Sequence, residues 1–266
     1  MSAELTNAFH RSVDEGVTRL ERSVPGLLAT GAVGGLDVSM GVFAMFVVQR
    51  ETGSTLLGAL AFGLGFMALT LANSELFTEN FLVPVTAVTA HKGTTGGLLR
   101  LWGGTVVTNL IGAWIAMGLV VLAFPDVRQT ALAVAQHPAT AGIDAGSFAS
   151  AVLGGLLITL MTWMERSTES MPARLLTVVA FAFLLASAPL LHCIVISIEM
   201  FAGLQVGAPY GYLDWLGTFA WAAVGNVLGG LGLVTTLRLV QVGGEELEKE
   251  RQRDPNEARE DQEVDA

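Results

Sequence analysis

One cysteine in 266 residues, Cys193, leaves no partner for an intrachain disulfide and no CxxC pair for a metal. Charge is scarce too: Asp, Glu, Lys and Arg make up 14% of the chain, where an average soluble domain has about 25%. Basic residues are the scarcer sign, 14 against 24 acids, so there is no basic face for nucleic acid. No GxxxxGK[ST] loop is present, which argues against ATP-driven transport, and no HExxH or paired-histidine spacing suggests a metal. No cofactor, metal or enzymatic activity is therefore expected. What is abundant is apolar side chain, 52% of the residues, with a mean hydropathy of +0.58. So few charges cannot coat a soluble protein of this length. An all-α integral membrane protein is expected.

Apolar stretches near the roughly 20 residues that a bilayer crossing needs occur at 25–48, 55–90, 98–124, 147–164, 175–206 and 213–238. With both termini on one side, that side receives Arg11, Arg19, Arg22, Lys92, Arg100, Arg166, Arg174, Arg238, Lys249, Arg251, Arg253 and Arg259. The other side receives Arg50 and Arg128 alone. This asymmetry predicts six spans with both termini in the cytoplasm of a prokaryotic cell, the protein lying in its inner membrane. The bland alternative, seven spans, would put the termini on opposite sides. Residues 1–24 carry Leu5, Phe9, Val13, Val17 and Leu20 at helical spacing, which suggests either an amphipathic helix along the membrane surface or an ordinary lead-in helix. Residues 25–240 form the expected transmembrane domain. Residues 241–266, with ten acids and four bases from position 245 onward, are expected to be a disordered cytoplasmic tail.

The second and fifth stretches are too long for one straight crossing and carry polar interruptions. One is Asn73-Ser74-Glu75-Leu76-Phe77-Thr78-Glu79-Asn80, with Pro84 beyond it; the other is Ser187-Ala188-Pro189-Leu190-Leu191-His192-Cys193. Each is the middle member of a three-helix half. Because three is odd, successive halves lie inverted, and breaks at matching places in inverted halves mark a solute path near the bilayer midplane. His192 is the one histidine within an apolar span, and ionisable groups at such depth usually mark a path or relay. Thr78 lies in the opposing break, where its hydroxyl can bond a solute or His192. Glu75, Glu79, Asp37 and Glu199 also lie at or near span depth; Glu75 and Glu79 suit a half-helix N-terminus or a vestibule. Phe62 and Phe66, one turn apart, read either as packing or as an apolar gate. The glycines of the spans read as packing surfaces.

These features resemble the formate/nitrite transporter family over about residues 5–240. The most specific pieces are Glu75-Leu76-Phe77-Thr78, His192, and Gly225-Asn226-x-x-Gly229-Gly230. The resemblance implies an aquaporin-like protomer, assembly as a homopentamer, and one pore per protomer in which Thr78 and His192 face each other. It also implies apolar constrictions at Phe62, Phe66, Leu76, Phe77 and Leu185, with Asn226 a polar residue near the pore. The chain departs from better-known members in having Glu79-Asn80 after the loop threonine, Leu191 where they have Glu, and Ile196 where they have Asn. Near Thr159 a family Asn is replaced, and Glu199 has no assigned counterpart.

The expected function is passage of a small monovalent anion of formate or nitrite type across a lipid bilayer, made pH-dependent by the central histidine. Apolar constrictions exclude a bare anion, and a histidine can hydrogen-bond it or lend it a proton. Two other classes fit less well: a pore for neutral solutes, and a membrane-embedded enzyme using His192 with Glu79 or Glu199. A tethering role for the acidic tail is the remaining alternative.

Overall fold

The structure, a computed structural model, describes residues 3–253. Among them there is helix and connecting loop but no strand. Five helices are long and apolar enough to cross a membrane: α2 (Val24–Thr52), α3 (Thr55–Ala72), α5 (Thr95–Ala123), α7 (Ala145–Arg166) and the continuous run Tyr212–Val242. That run comprises α10 (Tyr212–Val227), a π-helical segment at Leu228–Thr235, and α11 (Thr236–Val242). Local chemistry sets the boundaries. Ser23 caps α2 by accepting from the Gly26 N–H at 3.3 Å, and Pro25 opens its first turn. Asp144 caps α7 through the Ser147 N–H at 2.8 Å, and the Ser147 hydroxyl oxygen accepts the Asp144 N–H in return.

The two long stretches do not run as single helices. After α3, Asn73 turns the chain in the left-handed region, at φ 50°. An extended passage then leads to a 3₁₀ turn at Phe77–Phe81 and to α4 (Val83–Thr89). The stretch 175–206 is likewise divided, between α8 (Met171–Ser187) and α9 (Cys193–Gln205). Between α5 and α7 lies α6 (Arg128–Thr140), packed on α9.

Backbone freed by these interruptions needs partners, because an apolar interior supplies none. One amide side chain serves each break. Asn109, in α5, accepts from the Phe77 N–H at 2.9 Å and donates to the Gly31 and Glu75 carbonyls at 2.7 and 2.9 Å. Asn226, in α10, accepts from the Cys193 N–H at 2.8 Å and donates to the Ala151 and Leu191 carbonyls at 2.7 and 2.8 Å. Partner for partner, the two sets correspond: first helix, loop carbonyl, loop N–H. Close approach makes this possible. A Cβ on Gly35 would lie 2.2 Å from the Asn109 carbonyl, and one on Gly155 would lie 2.1 Å from that of Asn226. Only glycine lets the first and third helices of each set come so near.

The N-terminal helix α1 (Ala3–Glu21) differs from the expectation of a helix lying on the membrane surface. Its apolar stripe is used by protein: Phe9 and Val13 are fully buried and Leu20 nearly so, in a cluster with Leu82, Ala87, Leu101 and Trp163. Gly16 touches the α4 backbone, where a Cβ would meet the Val83 carbonyl at 2.4 Å. The expected tail also differs over part of its length. Residues Gly244–Gln252 form helix α12, while 254–266 lie outside the described residues. Side-chain pairing explains the order. Glu250, fully buried, contacts His10 Nδ1 at 2.5 Å; Glu246 lies 3.4 Å from His10 Nε2; and Arg253 pairs with Asp14. Lys92 donates to the Arg253 carbonyl at 2.5 Å.

Two outcomes follow from these anchors. Asn109→Leu strands one N–H and two carbonyls in the interior, at about 1–3 kcal/mol for each unpaired group. Its thermal unfolding in detergent should therefore shift far below wild type, and Asn226→Leu should match it. A shift no larger than that of a surface substitution would mean that the breaks are held elsewhere.

The second outcome concerns pH. The hydrogen bond that His10 donates to the Glu250 carboxylate holds the imidazole above its usual range, against the downward push of burial. A raised folded-state value means that this contribution is complete below the unfolded value of 6.5 and is lost as pH climbs through the folded one. Amide exchange in α12 should accordingly be slow at pH 6 and faster at pH 9 than intrinsic chemistry predicts. His10→Gln should remove that extra pH dependence.

Candidate functional site

The second break leaves His192 as the N-cap of α9. Its Nδ1 accepts from the Val195 N–H at 3.3 Å, so the ring proton belongs on Nε2. That nitrogen lies 2.7 Å from Thr78 Oγ1. The pair is thus a neutral imidazole donating to a hydroxyl whose own proton remains available to a further acceptor. Both side chains are fully buried. The first break brings Thr78 there because Asn109 fixes Phe77 next to it, and Asn226 fixes Cys193 next to His192. Each partner of the central contact is therefore one residue from an anchored amide.

The apolar candidates share one buried cluster with these breaks. Phe62 and Phe66 are fully buried and meet edge to face at 5.6 Å between ring centres. Leu76 and Leu185 are buried, as is Phe77, which packs on Phe81 at 5.0 Å and on Trp102 at 6.3 Å. Asn226 is a different case from a solute contact: its amide is wholly occupied by backbone. It positions the loop.

Glu75 and Glu79 neither cap a half-helix nor stand free. Both join a buried ionic cluster built on Arg19 of α1, which is 3% exposed. The Arg19 guanidinium donates to Glu15 and to the Asn80 side-chain carbonyl, each at 2.9 Å, and lies 3.7 Å from Glu79 and 3.9 Å from Glu75. Arg22 pairs with Glu75 as well. Glu165, at the end of α7, accepts from the Thr70 hydroxyl at 3.1 Å. Burial pushes the Glu15 carboxyl up, but Arg19 and Arg166 outweigh it and hold the group at about 2. A cavity of about 20 Å³ lies among Glu15, Arg19, Glu79, Glu165, Arg166 and Arg174, room for one water. Asp37 bonds the Ser74 hydroxyl at the start of the same loop. Glu199 stands apart from both groups, on α9.

Sequence reasoning missed Asn109, Arg19 and Glu165. A signal for Asn109 was present: Asn109-x-x-Gly112 repeats as Asn226-x-x-Gly229, and Gly34-Gly35 repeats as Gly154-Gly155. Arg19 falls on the stripe of Ser12 and Gly16, seven and three residues earlier, the face α1 buries. Nothing local distinguishes Glu165 from other acids at a helix end.

Among the described residues, no group of three or more His, Cys, Asp or Glu side chains is placed to hold a metal ion. The comparisons with known proteins bear on the whole of this arrangement. The family described as Formate/nitrite transporter matches residues 6–240. Inner membrane protein YfdC of Escherichia coli (strain K12) is 26% identical over 245 residues, covering 88% of this chain and 78% of that protein. Among solved structures, an FNT family ion channel superposes with a TM-score of 0.76 at 19% identity, over 87% of this chain and 97% of the other. A pentameric formate channel with formate bound superposes with a TM-score of 0.66 at 20% identity, over 80% and 95%. With the family matched along nearly all of its apolar length, the chain belongs to the formate/nitrite transporter family.

Proposed function

We propose that this protein is a channel for small monovalent anions of formate or nitrite type, with one path per protomer controlled by Thr78 and His192. The observation that carries the reading is the 2.7 Å contact between these side chains, buried among apolar residues where a polar pair is otherwise costly. In this reading Phe62, Phe66, Leu76, Phe77 and Leu185 strip water from the solute, and the Thr78 hydroxyl proton replaces part of its hydration. His192 orients that hydroxyl by donating to its oxygen. The pair offers donors without a fixed positive charge, which favours transient contact over tight binding. Proton transfer through His192 has a structural cost, since protonating Nδ1 breaks the bond that caps α9.

The proposed setting is an inner membrane, crossed six times by two inverted three-helix halves, with α3–α4 and α8–α9 as the interrupted members. The matched anchors Asn109 and Asn226 support inverted halves. Both termini are assigned to the cytoplasm by the twelve-to-two distribution of basic residues. A homopentamer is proposed because the formate-bound structural neighbour is a pentamer.

Uptake of formate into proteoliposomes at pH 5 and pH 7 tests the reading. His192→Phe removes the cap and the donor, so anion flux should vanish and stability should fall by roughly 1 kcal/mol. His192→Asn keeps an oxygen that can accept from Val195 but is too short to reach Thr78; flux should fail with folding little changed. Thr78→Val, nearly isosteric, should cut flux by removing the hydroxyl alone. Wild-type flux and pH profile in correctly assembled His192→Phe and Thr78→Val proteins would show the contact to be merely structural. Transport of neutral solutes with no formate uptake would favour the neutral-pore alternative.

A further inference from the structure

The 3₁₀ turn that carries Thr78 is held from several sides. Asn109 of α5 accepts the Phe77 N–H, Trp102 donates to the Asn80 carbonyl at 2.9 Å, and Thr235 donates to the Phe81 carbonyl at 2.8 Å. Those contacts all engage the backbone of the turn. One further contact engages a side chain. The carboxamide oxygen of Asn80, two residues beyond Thr78, accepts from Arg19 Nη1 of α1 at 2.9 Å. Asn80 is fully buried, and its amide nitrogen has no partner among the described residues. The bond from Arg19 is therefore the one hydrogen bond its side chain makes.

Arg19 is itself aimed. Its Nε donates to Glu15, one turn earlier in α1, at 2.9 Å, and Glu15 lies 4.0 Å from Arg166 of α7. The helix behind it has no slack. A Cβ on Gly16 would lie 2.4 Å from the Val83 carbonyl, and Phe9 and Val13 are fully buried. A planar guanidinium with two donors fixed in different directions passes that placement on to whatever it holds. Charge balance alone does not account for the geometry. Glu79 and Glu75 lie 3.7 and 3.9 Å from the guanidinium, beyond hydrogen-bond reach, while the uncharged Asn80 oxygen is bonded. Among acids, the closest reach of Arg19 to the loop goes to a neutral amide.

We infer that Arg19 is a positioning residue for Thr78: through Asn80 it sets the height of the 3₁₀ turn, and so the point at which the Thr78 hydroxyl meets a solute. The inference rests on the anion-channel reading above. Arg19 does not touch the solute in this arrangement. Without its bond to Asn80 the hydroxyl is still present but displaced, so its contact with the anion weakens while the path stays open.

The test measures formate uptake into proteoliposomes at one pH over a range of formate concentrations. Asn80→Leu, nearly isosteric, removes the bond to Arg19 and leaves every charge in place. It should raise the half-saturating formate concentration roughly three- to tenfold, the worth of one hydrogen bond. Maximal uptake should stay within about twofold of wild type, since only contact with the solute is weakened. In a Thr78→Val background the same change should have no further effect, because the hydroxyl that Arg19 places is gone. If the leucine protein fails to assemble, Arg19→Lys gives the same comparison, keeping the charge but not the fork that reaches Glu15 and Asn80 together. A rise of equal size in the Thr78→Val background, or no rise in the parent, would overturn the positioning role and leave the channel reading intact. Wild-type uptake by the Thr78→Val protein alone would overturn both.

Discussion

A peptide bond taken out of helical pairing inside an apolar bundle must find its partners from side chains or from other backbone, and most of this structure follows from that requirement. Two segments leave helical geometry at depth. Each is held by one asparagine whose single oxygen and two amide protons are all used on backbone. An amide suits this role because it presents an acceptor and two donors together and carries no charge. Other loop groups are met in the same way: Trp102 donates to the Asn80 carbonyl, Thr235 to that of Phe81, and Ser150 accepts the Leu191 N–H. A break whose backbone is anchored in this way is held in place, and that is what allows Thr78 and His192 to meet at 2.7 Å.

The anchors also explain where glycine is needed and where it is only tolerated. For Asn109 to reach the Gly31 carbonyl, α5 must lie against α2 at backbone contact, which the Gly35 position permits. Gly155 does the same for α7 against α10. Gly103 and Gly217, by contrast, have open space where a side chain would go. Abundant glycine in a membrane chain therefore says that helices pack closely, but the partner of each close approach decides which glycines matter.

Much of this was legible in the sequence. Apolar stretches placed the helices, the polar interruptions at 73–80 and 187–193 placed the breaks, and the scarcity of titratable groups at depth singled out His192. What was hidden depended on tertiary approach. Asn109 lies amid apolar residues beside Thr108, and only pairing it with Asn226 across the two halves gives it meaning. The roles of Glu75 and Glu79 were hidden for a different reason: their partner Arg19 lies more than fifty residues earlier, in a helix whose pattern suited a lipid surface equally well. An amphipathic stripe shows that a face will be buried but does not say against what. The acidic composition after residue 244 was similarly silent about α12, since its order depends on His10, Asp14 and Lys92 far away in the chain.

The two breaks consequently differ in their electrostatic surroundings although their backbone anchoring is alike. At the α1 end, acids and arginines are buried together, so the cluster presents little net charge and resists separation: removing one partner would leave the other unpaired in a poorly solvated place. On α9, by contrast, Glu199 has no ion pair among the described residues. Between them the central pair is neutral by construction, because the bond that caps α9 occupies the one nitrogen that a second proton would need. Matching anchors in unlike electrostatic surroundings are a combination that two halves of different sequence can provide and two identical ones cannot.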